Sequence, residues 1–126
     1  MTNPHKGRTG LDRILRATGY SISWLRSAYQ GESAFRQEFW LAVVLVPCAF
    51  WLGTSWVELS LLIGSVMLVL IVELLNSGIE AAIDRISLDL HPLSKRAKDL
   101  ASAAVFLSLL LCGGIWLAAL WMKLSA

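Results

Sequence analysis

The sequence predicts an all-α membrane protein, with three transmembrane helices behind an N-terminal amphipathic helix that lies in the membrane interface. Three observations predict it. Hydrophobic residues make up 56% of the chain, more than an ordinary soluble domain carries. Three long apolar runs are present, two of them charge-free over a bilayer-crossing length and the third able to cross only by continuing through Glu73. An Arg-bearing amphipathic segment precedes the first of them. At 126 residues the chain is read as one integral-membrane domain, 1–126.

The interfacial helix is placed at 10–30. Leu11, Ile14, Leu15, Thr18, Ile22, Leu25 and Tyr29 share one face, and Arg13, Arg16, Tyr20 and Trp24 share the other. Such a helix anchors the chain, or its polar face covers an anionic ligand. The first span is 39–57. Its run from Phe39 to Val57 covers about 28 Å as a helix, with Pro47 expected to kink it. Gly53-Thr54-Ser55 marks a tight turn into the second span, 59–83. The charge-free part of that span, Leu59 to Val72, covers only about 21 Å, so the helix must continue through Glu73. The third span, 100–122, is about 34 Å of uncharged helix.

Charge is distributed unevenly between the two ends of these spans. Glu58 is the only charge near the 53–55 turn. Lys6, Arg8, Arg13, Arg16, Arg26, Arg36, Arg85, Lys95, Arg96 and Lys98 fall on the opposite side, with Lys123 as an exception. The positive-inside rule therefore places the N-terminus and the 84–99 loop in the cytoplasm. Charges recur through residue 38, so no signal peptide is expected. Cys48 and Cys112 lie in apolar runs and read as small buried hydrophobes, without disulfide or metal-ligand spacing. Gly64 and Gly113-Gly114 allow close helix contacts.

The second span carries the chemistry. Glu73, Asn76, Glu80 and Asp84 fall at about 0°, 300°, 340° and 20° around a helix, one polar stripe on an apolar rod. Ionisable groups in a membrane span are costly and point to function. The stripe suggests metal binding, proton transfer, or both. Near the same boundary stand the 32–38 segment, the 91–99 loop and Ser102. Carboxylates and carbonyls suit a hard cation such as Mg²⁺, and cationic side chains suit a polyphosphate. The inventory fits phosphoryl transfer to a lipid; by residue type alone it also fits cation transport, and the loop charges also serve to fix topology. Walker A, the kinase glycine-rich loop and the His-Arg-Asp loop are absent.

The segments Glu32-Ser33-Ala34-Phe35-Arg36-Gln37-Glu38, Val72-Glu73-Leu74-Leu75-Asn76-Ser77-Gly78-Ile79-Glu80 and Ala97-Lys98-Asp99 together resemble the prokaryotic diacylglycerol kinase family. The likeness extends from about Leu11 to Met122. It implies a homotrimeric kinase of the bacterial inner membrane that converts diacylglycerol to phosphatidate with MgATP, its shared sites at the cytoplasmic face. Within that resemblance Glu73 is the general base and Asn76 an active-site amide. Glu32 and Glu80 are the Mg²⁺ ligands. Arg13, Tyr20, Glu32, Glu80, Asp89, Leu90, His91, Lys98 and Asp99 contact ATP. Arg13, Arg26, Ala34, Phe35, Glu38, Glu73 and Ser102 contact the lipid. Asp99 has an alternative as the cap of the third helix, and Asp84 as the partner of a nearby cation. Pro92 and Lys95 stand where Glu and Gly are familiar in the family, and Ile22 and Tyr29 at positions often held by Trp. Membrane lipids and a second copy of the chain are the expected partners; nucleic acid is not. Undecaprenol is the rival lipid substrate, and a small ion-coupled transporter the rival of a different class.

Overall fold

A computed structural model describes residues 10–126 as four helices: α1 (Gly10–Gly31), α2 (Ser33–Leu52), α3 (Trp56–Ile86) and α4 (Pro92–Ser125). There is no strand among the described residues. The N-terminal charges Lys6 and Arg8 lie outside them.

Each helix start has a local cause. Gly10 has φ +65°, a left-handed conformation open to glycine, and α1 begins there. Extended backbone at Glu32 separates α1 from α2, although Glu32 N–H still donates to the Ala28 carbonyl at 2.9 Å. Consequently α2 starts before the apolar run at Phe39 and carries the 32–38 polar segment into its first turns. It continues unbroken through Pro47, which has no N–H to donate. Gly53 closes α2, donating its N–H to the Ala49 carbonyl at 2.8 Å. A Cβ on Gly53 would come within 3.1 Å of that carbonyl oxygen and 3.3 Å of the Leu59 backbone, so a side chain there would press the α2–α3 turn apart by a few tenths of an ångström. A Cβ at Gly64, Gly113 or Gly114 would meet nothing within 4 Å. These three glycines do not serve helix contacts within the chain.

The last helix begins at Pro92, ahead of the charge-free stretch that starts at Leu100. His91 is its N-cap, its Nδ1 accepting the Leu93 N–H at 3.1 Å, and Pro92 follows where no N–H is needed. The capping alternative for Asp99 therefore falls away: Asp99 lies two turns inside α4.

The central helix is α3, which packs on α4 and on α2, whereas α1 packs chiefly on α2 and has no buried residue. Near the 53–55 turn, Ala49, Leu52 and Leu62 form the apolar core. Trp116 Nε1–H donates to the Leu62 carbonyl at 3.2 Å, joining α4 to α3. The buried face of α3 consists of Leu62, Ser65, Val66, Val69 and Glu73. One stripe thus begins apolar and, from Glu73 onward, becomes carboxylate and amide.

Helix length explains why that change is tolerated. With 31 residues, α3 is about 46 Å long against a hydrocarbon layer of about 30 Å. Counted from Trp56, the hydrocarbon ends about 20 residues later, near Asn76. With 34 residues, α4 is about 51 Å long and overshoots in the same direction. The two helices therefore project together beyond the bilayer, bearing Glu80, Asp84, Lys95, Lys98 and Asp99.

Candidate functional site

The site begins where the α3 stripe becomes polar. Glu73 is 7% exposed, a carboxyl held on the buried face below the projecting segment. It accepts no hydrogen bond among the described residues, and the carboxylates that act on it electrostatically are Glu38 of α2 and Glu80 one helical repeat further along. Asn76 Nδ2 donates to Glu80 Oε1 at 3.3 Å. Its Oδ1 is buried without a partner. An orphaned buried carbonyl is costly, and this one is free to accept from a group outside the chain.

Further along α3, Asp84 Oδ1 accepts from Lys98 Nζ at 2.8 Å, the ion pair that ties the projecting ends of α3 and α4. On α4, Lys95 Nζ donates to Asp99 Oδ2 at 2.6 Å, one turn away. The Asp84–Lys98 pair is about half exposed and the Lys95–Asp99 pair more so, and their contribution to stability is small, at most about 1 kcal/mol each. The α3–α4 connection closes a pocket of about 230 Å³ that gathers Asp84, Asp89, Leu90, His91, Lys98 and Asp99. Ser87 Oγ accepts the Asp89 N–H at 3.0 Å and shapes the loop. The structure thus brings together all five ATP-contact candidates of the 89–99 segment.

A second cavity of about 560 Å³ lies among α1, α2 and α3. Met67, Leu70, Ile71 and Leu74 form its α3 wall at helical spacing. Arg26 and Phe35, both lipid-contact candidates, line it too, with Phe35 buried. Its volume falls in the range of sites that enclose small organic ligands, about 300–1,000 Å³. It ends at Leu74, the neighbour of Glu73. Glu38 instead borders a small gap of about 40 Å³ between α2, α3 and α4.

Other candidates stay apart within one chain. Glu32 is the N-cap of α2 but makes no side-chain cap hydrogen bond. Arg13 and Tyr20 sit on exposed α1, where Tyr20 stacks on Trp24 with ring centroids 6.0 Å apart. Ala34 and Ser102 are exposed and line neither cavity. Sequence reasoning missed Phe39 and the α3 wall at the lipid-sized cavity, and took in Tyr29 only within the 26–38 segment and Ser94 and Lys95 only within the 91–99 loop. The i, i+3, i+4, i+7 spacing of Met67, Leu70, Ile71 and Leu74 is the signal that marks the wall.

Among the described residues, no group of three His, Cys, Asp or Glu side chains is arranged to hold a metal ion. The donors present at the stripe are hard oxygens, the Glu80 carboxylate and the unpartnered Asn76 Oδ1. That set fits Mg²⁺, which takes one or two carboxylates and completes its shell with waters and substrate phosphates.

Known proteins match this chain along most of its length. The family model for prokaryotic diacylglycerol kinase matches residues 19–120. A diacylglycerol kinase from Pseudomonas aeruginosa is 55% identical over 114 residues, which cover 90% of this chain and 93% of that protein. One from Escherichia coli is 49% identical over 113 residues, covering 90% and 93%. One from Helicobacter pylori is 42% identical over 117 residues, covering 90% and 91%. With its three helices long and apolar enough to cross a membrane and its stripe of carboxylates on α3, the chain belongs to the prokaryotic diacylglycerol kinase family.

Proposed function

We propose that this protein phosphorylates diacylglycerol to phosphatidic acid, with ATP as donor, at the cytoplasmic face of a bacterial inner membrane. The observation that carries the reading is the order of features along α3. The apolar cavity spans Met67 to Leu74, the buried Glu73 stands at its end, Asn76 and Glu80 follow, and the loop pocket begins at Ile83. A lipid lying in the first and a nucleotide lying in the second follow one another along the length of α3, with the cavity wall turned roughly 110° around the helix from the Glu73 stripe.

In this reading Glu73 accepts the proton of the lipid's primary hydroxyl as the oxygen attacks the γ-phosphorus. Lys98 and Arg13 neutralise phosphate charge, and Tyr20, Asp89, Leu90, His91 and Asp99 position the nucleotide. Lys98 leaves Asp84 for phosphate without large cost, because their pair is half exposed. Glu32 and Glu80 would hold Mg²⁺, with Asn76 Oδ1 as a further oxygen beside Glu80. When bound, the ion offsets the negative charge on the transferring phosphoryl group. Arg26 and Phe35 border the lipid within the cavity, and Ala34, Glu38 and Ser102, which do not line it in one chain, would meet the lipid at its margin or from a neighbouring copy.

The enzyme works as a homotrimer in this proposal. One chain leaves Arg13, Tyr20 and Glu32 away from the loop pocket, and Gly64, Gly113 and Gly114 face open space where a second chain's helix fits closely. A single helix trio also cannot enclose a polar stripe from lipid.

The test is transfer of labelled γ-phosphate from MgATP in lipid-containing micelles, with diacylglycerol and undecaprenol offered side by side. Label on diacylglycerol is expected. Label chiefly on undecaprenol would keep the chemistry and replace the substrate. No label on either, from folded protein, would overturn the reading.

A further inference from the structure

We propose that Tyr29 is a positioning residue that latches α1 against α2 and thereby sets the width of the lipid cavity and its selectivity among acyl chains. The inference rests on the cavity among α1, α2 and α3 being the diacylglycerol site.

The elbow between α1 and α2 needs such a latch. A single extended residue, Glu32, joins the two helices, and α1 buries no side chain of its own. Backbone alone therefore leaves the angle of α1 loosely defined. Four groups meet across the elbow. Trp40 Nε1–H donates to the Tyr29 hydroxyl at 2.8 Å. Phe39 packs edge-on to the Tyr29 ring, centroids 5.6 Å apart, and edge-on to Trp40 at 5.8 Å. The Arg36 guanidinium lies 5.9 Å from the centre of the same ring. Tyr29 and Phe39 also line the cavity. One side chain thus forms the hinge contact and the cavity wall.

The chemistry of the pair makes the contact selective. Indole N–H only donates, so it needs an acceptor, and at the edge of the hydrocarbon water supplies one poorly. The Tyr29 hydroxyl fills that need. Remove it and the ring keeps its contacts with Phe39 and Arg36, but Trp40 loses its acceptor and the angle of α1 is held less firmly. The cavity wall built from Leu25 and Tyr29 then moves relative to the α3 wall. The loop pocket has no lining residue in common with this cavity, so the latch reaches the nucleotide only through Arg13 and Tyr20, which ride on α1.

The experiment compares Tyr29→Phe, Trp40→Phe and the double variant in mixed micelles, with diacylglycerols of graded chain length. Each single variant is expected to raise the lipid KM by on the order of 3–10-fold, the effect of one hydrogen bond. Each also flattens the chain-length profile, while kcat stays within about twofold and the ATP KM, reached only through Arg13 and Tyr20 on α1, rises by less than the lipid KM. The double variant resembles either single one, since both remove the same bond. A lipid KM and profile unchanged in Tyr29→Phe would overturn the latch. So would equal losses in kcat and both KM values, the signature of a general folding defect. So would additive effects in the double variant. A second readout separates the latch from the proposed reaction. Saturable labelling by a diacylglycerol with a photoreactive acyl chain, measured without nucleotide, should weaken in Tyr29→Phe. Wild-type labelling without phosphoryl transfer would refute the proposed function and still judge the latch. Absence of saturable wild-type labelling would refute the latch and leave the transfer assay to judge the reaction.

Discussion

Glu58 and Glu73 are carboxylates of one helix in opposite circumstances. At the turn end, Glu58 accepts the Thr54 N–H at 2.7 Å and the Thr54 hydroxyl, while its own N–H donates to Ser55 Oγ at 3.2 Å. It is a first-turn acid that closes a reciprocal cap. Glu73 is far less exposed, yet no group among the described residues donates to it, and the neighbouring Asn76 keeps a buried oxygen unpaired. A carboxylate whose acceptor sites are filled by its own chain is structural. One that is buried and left unfilled costs stability, and the family to which this chain belongs gives a reason to retain it. The difference separates an end whose carboxylate is satisfied within the chain from an end whose buried polar groups are not.

The largest expected effect follows directly. Glu73→Gln should lower kcat by about 10²–10⁴-fold, the usual contribution of a positioned proton acceptor. Its melting temperature in detergent should hold or rise, because a neutral amide replaces a carboxyl crowded by Glu38 and Glu80. Glu58→Gln should do the reverse, leaving turnover intact and lowering the melting temperature. Equal activity losses in the two variants would erase the distinction between the ends.

Lys98→Met comes next. Loss of a charged hydrogen bond to phosphate should raise the ATP KM by on the order of 10–100-fold. Stability should change by less than about 1 kcal/mol, because the Asp84 pair it breaks is half exposed. A melting shift in place of a KM shift would make Lys98 a structural tie. Leu62→Ala probes the opposite end. Leu62 is 1% exposed at the centre of the apolar core, and its loss leaves a cavity. The cost should lie near the lower end of about 2–5 kcal/mol, since lipid removes much of the transfer contribution but not the lost packing. The kcat of the folded fraction should be unchanged.

Legibility in the sequence followed the range of the interactions. The stripe Glu73, Asn76, Glu80 and Asp84 needed only the helical repeat, and it lies on one face of α3. The turn at 53–55 needed only Gly, Thr and Ser in a row. The helix starts were misjudged where apolar runs stood in for caps: His91-Pro92 signals the start of α4, eight residues before the charge-free run. Lys98 meeting Asp84, and Tyr29 meeting Trp40, depend on where two helices cross, which neither residue's neighbours announce. The glycines were left open for the same reason: Gly64 and Gly113 carry no record of whether the helix beside them belongs to this chain.

The smallest effect tests whether the two ends are independent. Lys123 Nζ donates to the Trp51 carbonyl at 3.0 Å and lies 4.3 Å from the centre of the Trp51 ring. That carbonyl belongs to the last turn of α2, where no further turn supplies an N–H, so the ammonium both satisfies an orphaned acceptor and complements the helix dipole. Lys123→Met keeps the length of the side chain and removes the charge. The loss should be about 0.5–1 kcal/mol, seen as a small drop in melting temperature. Lipid KM, ATP KM and kcat should be those of the wild type, because Lys123 lines neither cavity. A change in lipid KM would mean that α2 transmits its outer anchoring to Phe35 and Phe39 at its other end. The turn end would then be part of substrate selection, and the division drawn from Glu58 and Glu73 would hold for proton transfer alone.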